Sequence, residues 1–150
     1  MGKIIRGYKN KQKRVILIPL AILAAILVIL GALFIDRGNT KQVIEKIGDS
    51  DLFTAEEIES AMAAVKKEFR KSFRDCTLTK LWYDENVCKL ELEDWKTQYQ
   101  ADDAIVLLSD FEVGRSTGDQ SLKAGSAYKN WEWILVRNAD GEWKVKTWGY

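Results

Sequence analysis

Hydrophobic residues recur along this chain with three different spacings, and each spacing predicts a different element. Val15 to Ile35 (VILIPLAILAAILVILGALFI) is apolar without interruption. As a helix it would be about 32 Å long at about 1.5 Å per residue, which matches a hydrocarbon core of roughly 30 Å. Pro19 falls near its start, where few intrahelical bonds are lost. The run predicts a transmembrane helix over 15–35.

From Ile58 the spacing changes to steps of three or four. Ile58, Met62, Val65, Phe69 and Phe73 mark one buried helical face, with Glu59, Lys66, Lys67 and Arg70 left to solvent. Thr54 and Glu57 form a capping box ahead of this stripe, and Phe53 is placed to staple against Ile58. β-Branched and aromatic residues then predict a strand over Thr77 to Tyr83, closed by a turn at Asp84-Glu85-Asn86. The next stretch, VCKLELEDWKTQYQ, fits two periods. Cys88, Leu90 and Leu92 alternate as in a strand, whereas Leu92, Trp95 and Tyr99 are spaced as in a helix, so a brief strand or loop running into a short helix is expected. Ala104 to Val113 predicts a strand buried at its start and polar at its end, and GRSTGDQSLKAGS predicts a loop.

The last segment, YKNWEWILVRNADGEWKVKTWGY, reads as a hairpin. Asn138-Ala139-Asp140-Gly141 suits a type I turn with a glycine bulge. Strict antiparallel counting from that turn sets Leu135 opposite Val145 and Trp133 opposite Thr147. Trp131, Trp133, Leu135, Trp143 and Val145 then share one face, while Trp148 and Tyr150 fall on the other with Lys144 and Lys146. One long amphipathic helix followed by three to four antiparallel strands predicts an α+β roll, a curved sheet wrapped around a helix.

Charge divides the chain further. Residues 1–14 hold six of the 23 Lys and Arg, and no acid precedes Asp36, so residues 36–150 carry 17 cations against 22 acids, a net charge of −5. The basic flank predicts a cytoplasmic N-terminus by the positive-inside rule. The organisation expected is a basic cytoplasmic tail (1–14), a transmembrane helix (15–35), a polar extracytoplasmic tether with at most a short helical piece (36–53) and an extracytoplasmic α+β roll (54–150). A cleaved signal peptide would begin in the same way, but the apolar run is longer than a signal core and Phe34-Ile35-Asp36-Arg37 lacks a small-x-small cleavage pattern.

The chain contains no histidine. That excludes Ser-His-Asp and Cys-His nucleophilic systems, and two cysteines alone cannot fill a zinc sphere. No phosphate-binding or dinucleotide-binding glycine pattern occurs, so no catalytic residue, metal or cofactor is expected. Asp110 and Glu132 are the carboxylates in apolar surroundings, an acid/base pair beside Tyr128 only if both reach one concave site. Trp82, Trp131, Trp133 and Trp143 are candidates to line an apolar ligand pocket, against the plainer reading that they pack on the helix as core. Trp148 and Tyr150, on the mixed face, are candidates for surface recognition.

Four ordered motifs, FTAEEIESAMAAVKKEF, CTLTKLWYDE, AIVLLSDFEV and NWEWILVRNADGEWKVKTWGY, cover about the last hundred residues. Together they resemble a family of uncharacterised, mostly Gram-positive bacterial proteins that are membrane-anchored or secreted. The resemblance implies a cone fold similar to nuclear-transport-factor-two-like or cystatin-like domains. It implies no activity and brings no catalytic residues. ENVCKLELEDWKTQYQ departs from the family, whose members are often Gly-rich there. A Cys76–Cys88 disulfide would suit an oxidising exterior. It is out of reach if residues 84–92 continue a hairpin and open if they do not. The expectation is a non-enzymatic, single-pass membrane protein whose exterior domain binds a small apolar ligand, an envelope component or a protein partner, and no nucleic acid. The alternatives are a structural subunit of a secretion- or conjugation-type assembly and, behind it, a carboxylate enzyme of the cone-fold type.

Overall fold

The computed structural model describes residues 22–23, 37–115, 121–139 and 141–150. The chain divides into two units, Met1–Ile35 and Asp36–Tyr150. Of the first, only Ile22 and Leu23 are described, and both are helical. The basic tail and the rest of the expected transmembrane helix lie outside the described residues. Among the described residues no helix is long and apolar enough to cross a membrane.

The second unit is α+β, as the periodicities predict. Its elements run β1 (Ile44–Lys46), α1 (Ala55–Ser72), β2 (Cys76–Tyr83), α2 (Glu85–Tyr99), β3 (Asp103–Val113), β4 (Ala127–Arg137) and β5 (Lys144–Gly149). The five described strands form one sheet in chain order. The short β1 lies parallel to β2, and every other pair is antiparallel. The sheet is therefore mixed and five-stranded, not a wholly antiparallel one of three or four strands.

The first helix follows its local sequence closely. Thr54 Oγ1 accepts from Glu57 N–H while the Glu57 carboxylate accepts from Thr54 N–H, closing the expected capping box. Ile58, Met62, Val65, Phe69 and Phe73 are all buried. Phe53, just ahead of the cap, packs edge-on against Tyr83 and Trp143 at 6.0 and 5.8 Å between ring centroids.

The second helix corrects the reading of residues 84–100. Asp84 caps a helix instead of closing a turn, since its Oδ1 accepts from the Asn86 and Val87 N–H groups at 3.0 and 3.4 Å. A full 15-residue helix follows at once. Cys88 is buried, Leu92 and Trp95 pack against the core, and Leu90 points to solvent, 82% exposed. The apparent alternation of Cys88, Leu90 and Leu92 therefore belongs to no single face, and the helical spacing decides the element.

Each helix covers one face of the sheet. Phe69 of α1 and Phe73 at its C-terminal cap meet Trp133 on one side. On the other, α2 packs on β3 and β4, bringing Tyr99 under Lys146 and Glu91 towards Glu132. The sheet is thus a middle layer and does not wrap around a single helix.

The segment read as a tether is part of the fold. Gly38 N–H donates to Arg70 O, Asn39 N–H to Cys76 O, and Leu78 N–H to Asn39 O. Residues 41–47 hold a turn and β1 where a helical piece was expected. Ser50 Oγ and Tyr83 OH both donate to Glu85 Oε2 at 2.6 Å, and Lys89 pairs with the same carboxylate. These partners hold the Glu85 carboxyl down at about 2, Lys89 contributing most, and burial pushes the Tyr83 phenol well up. A polar segment gives no local sign of such long-range pairing.

Gly38 shows how tightly this segment is seated. A Cβ there would meet the backbone oxygens of Phe69 and Phe73, which cannot swing aside as a side chain would. Gly38→Ala is therefore expected to destabilise the domain by about 1–3 kcal/mol, the usual scale for overpacking. Chemical denaturation checks this, and an unchanged midpoint would mean the segment is loosely attached.

Candidate functional site

The aromatic residues of β4 and β5 are placed by a bulge. Near the turn the pairing is as counted, with Leu135 opposite Val145 and Val136 opposite Lys144. It then slips: Ile134 pairs with Thr147, Trp133 with Trp148 and Glu132 with Gly149. Lys146 is the extra residue on β5, and one extra residue inverts the facing of everything beyond it. Trp148 and Tyr150 therefore join the face of Trp131 and Trp133 rather than the opposite one. The turn differs as well, because Ala139 takes the left-handed conformation at φ 49°, where a type I turn needs a negative φ.

The result is a continuous set of rings. Trp148 lies 5.5 Å from Trp133 and 5.7 Å from Phe73. Trp131 lies edge-on to Tyr150 at 5.0 Å and to Phe111 at 5.4 Å. Tyr128 stacks on Phe111 at 5.1 Å, and its hydroxyl accepts from Lys123 N–H. Burial falls steeply across the set. Trp133 is fully buried, whereas Trp148 is 38% and Tyr150 77% exposed. One end of the cluster is core and the other is surface.

The four tryptophans proposed as a pocket are not brought together. Trp82 lies on the α2 face, with Lys80 Nζ 3.9 Å over its ring. Trp143 lies at the hairpin end beside Phe53, with the Arg137 guanidinium 4.3 Å over it. Trp133 is closed off by Phe69 and Phe73, and its Nε1–H donates to Ser109 Oγ at 2.8 Å. Clefts beside Tyr99 and Lys144 (about 150 Å³), Ser60 and Trp143 (about 240 Å³), and Trp95 (about 300 Å³) do not include Trp131, Trp133 or Trp148. They are at or below the small end of the usual ligand-pocket range, about 300–1,000 Å³.

The two carboxylates share the α2 face with each other but not with Tyr128. Asp110 accepts from Lys129 Nζ and Asn130 N–H at 3.2 and 3.1 Å, fixing a second bulge where Asn130 is left-handed. Its role is to hold the strand. Glu132 lies opposite Leu108, and burial, with a smaller contribution from the Glu91 charge, raises its carboxyl above the usual range. No acid/base pair is assembled with Tyr128, which faces the other way against Phe111. Among the described residues no cluster of metal-ligating side chains occurs.

Cys76 and Cys88 are separate buried thiols. Cys76 begins β2, whereas Cys88 lies beyond its far end near Tyr83. Seven residue steps along the strand separate those ends by roughly 23 Å at about 3.3 Å per step, which excludes a disulfide without refolding.

The sequence reading missed Tyr128, Phe111 and Phe73 as members of the ring cluster. A signal for the bulge was present in KVKTWGY: Val145 and Trp148 are three apart, an odd step that no unbroken strand can place on one face. A scan against protein-family models and searches of curated proteins and of solved structures returned no match.

Two outcomes test this site. Trp133→Phe should lower unfolding free energy by about 1–3 kcal/mol by leaving buried Ser109 without its donor. Trp131→Phe should cost less, because Trp131 Nε1 is buried without a partner among the described residues. Equal losses in urea titrations would contradict the assigned hydrogen bond. Glu132 titrates in the opposite sense to a paired carboxylate. Below its ordinary value of 4.5 it is neutral in both states, and as pH rises through its folded value the charge opposes folding. Glu132→Gln should therefore stabilise the domain at neutral pH, with the gain vanishing in acid; a pH-independent difference would refute this.

Proposed function

We propose that the chain is a single-pass membrane-anchored protein whose exterior α+β domain is a non-enzymatic interaction module, with recognition carried by the exposed aromatic end around Trp148 and Tyr150. The observation that carries the anchoring is the 21-residue uncharged run Val15–Ile35 behind six basic residues. The family resemblance of the last hundred or so residues agrees with a membrane-attached or secreted domain. The interaction role is supported by the exposed rings of Trp148 and Tyr150, which continue a buried cluster instead of standing alone. A role outside catalysis is supported by the lack of histidine and by Asp110 being engaged with Lys129 and Asn130.

The test is alkaline carbonate extraction of membranes from cells producing the full chain, followed by protease treatment of intact cells stripped of their wall. The chain should stay in the membrane pellet, and protease added outside should digest residues 36–150. Release by carbonate, or protection of the domain, would sink the reading.

A further inference from the structure

The chain enters the folded unit at its aromatic end. Gly38 N–H donates to Arg70 O in the last turn of α1, and Gly38 lies against the backbone oxygen of Phe73. The ring of that same Phe73 is 5.7 Å from Trp148 and 6.3 Å from Trp131. The first tightly held residue and the exposed tryptophan are therefore neighbours of one residue, Gly38 of its backbone oxygen and Trp148 of its ring. On the anchored reading proposed above, on which this inference rests, Ile35 ends the membrane span. Three residues carry the chain from there to Gly38, about 11 Å at full extension. The interfacial zone of a bilayer is itself several ångströms deep. The sequence thus holds no long spacer between the apolar run and this end.

The chemistry of this end suits that position. Arg37, Arg70, Lys71, Arg74, Arg115 and Lys123 gather here, all exposed. The end is defined by the α1 terminus, the Cys76–Val113 pair and the Lys123–Tyr128 contact. Against these cations stand Glu68, which pairs with Lys71, and Asp75 and Glu112. Among the described residues the balance at this end is cationic, in a unit whose net charge is −5. Tryptophan and tyrosine favour the headgroup level, where one edge of the ring is wet and the rest is not. Basic side chains are drawn to anionic lipid over a Debye length.

We propose that this aromatic, cationic end is a membrane-contact surface that lies on the anionic headgroups of the bilayer in which the chain is anchored, with Trp148 and Tyr150 at headgroup level. The domain is then attached to the membrane twice, by its anchor and by this surface.

All six tryptophans lie between residues 82 and 148, and none is in the apolar run. Quenching of tryptophan by lipid therefore reports on the domain alone. The experiment reconstitutes the full chain into phosphatidylglycerol–phosphatidylcholine vesicles containing lipid brominated at acyl carbons close to the headgroup. Carbonate retention is measured on the same vesicles. Quenching is expected, with loss of most of it in Trp148→Phe, a variant that keeps an aromatic ring against Phe73. In the unaltered chain, quenching should also fall when phosphatidylcholine alone is used. Retention in carbonate with no quenching, or quenching that Trp148→Phe leaves intact, overturns the surface while leaving the anchor, and would assign the aromatic end to a protein partner. Release with quenching removes the anchor and keeps the surface; release without it removes both.

Discussion

The indole of Trp133 is where the layers of this domain are joined. Its ring packs on Phe69 of α1 and on the cap residue Phe73, its strand pairs it with Trp148 of β5 and Leu107 of β3, and its N–H reaches Ser109, a buried polar residue of that face. Displacement of this ring would loosen the helix from the sheet and leave the buried Ser109 hydroxyl, which also donates to Trp131 O, without the donor it accepts from. A buried aromatic contributes through its large area, and an indole also needs a hydrogen-bond acceptor at a fixed place. The acceptor comes from β3 and the packing surface from α1, so Trp133 specifies how the two sit together as well as stabilising them.

Three strand irregularities adapt the sheet to this centre. Thr79 is extra on β2, and its hydroxyl donates to Asp110 O. The carboxylate of Asp110 accepts from Asn130 on the bulged stretch of β4, and Lys146 is extra on β5. Each shifts the parity of side chains beyond it. On β5 the shift allows Lys144 and Lys146 to stay exposed while Trp148 turns towards Phe73. Cationic side chains on this edge strand also discourage pairing with another sheet. The bulge thus serves burial on one face and solubility at the edge.

What the sequence disclosed follows the range of the interactions concerned. The α1 capping box and its stripe from Ile58 to Phe73 are local, and both were legible to the residue. In α2 two local signals competed, and Leu90 settles the matter only once its exposure is seen; the Asp84 cap then outweighs an alternation of three residues. The pairing of Asn39 with Thr77 and of Ile44 with Lys80 joins residues more than thirty positions apart through backbone groups that every residue carries, so segment 37–53 looked like a tether. For the site, the core character of Trp133 was legible as the plainer of two readings. The facing of Trp148 was not, since strict counting from a turn assumes an unbroken ladder, and the odd step between Val145 and Trp148 was the sign that it breaks.

The same broken ladder ties the sheet to the start of the unit. Had β5 kept strict register, Trp148 would lie on the α2 face, away from Phe73 and from Gly38. With Lys146 extra, Trp148 lies against the residue that seats the incoming chain, so the exposed rings and the chain's point of attachment occupy one end of the domain. The incoming chain and the exposed amphipathic rings are thus seated on the same part of the core, the C-terminal end of α1. The opposite end, with the hairpin turn, the Arg137–Glu57–Asp103 ion pairs and the Glu85 network, is polar and bonded within itself.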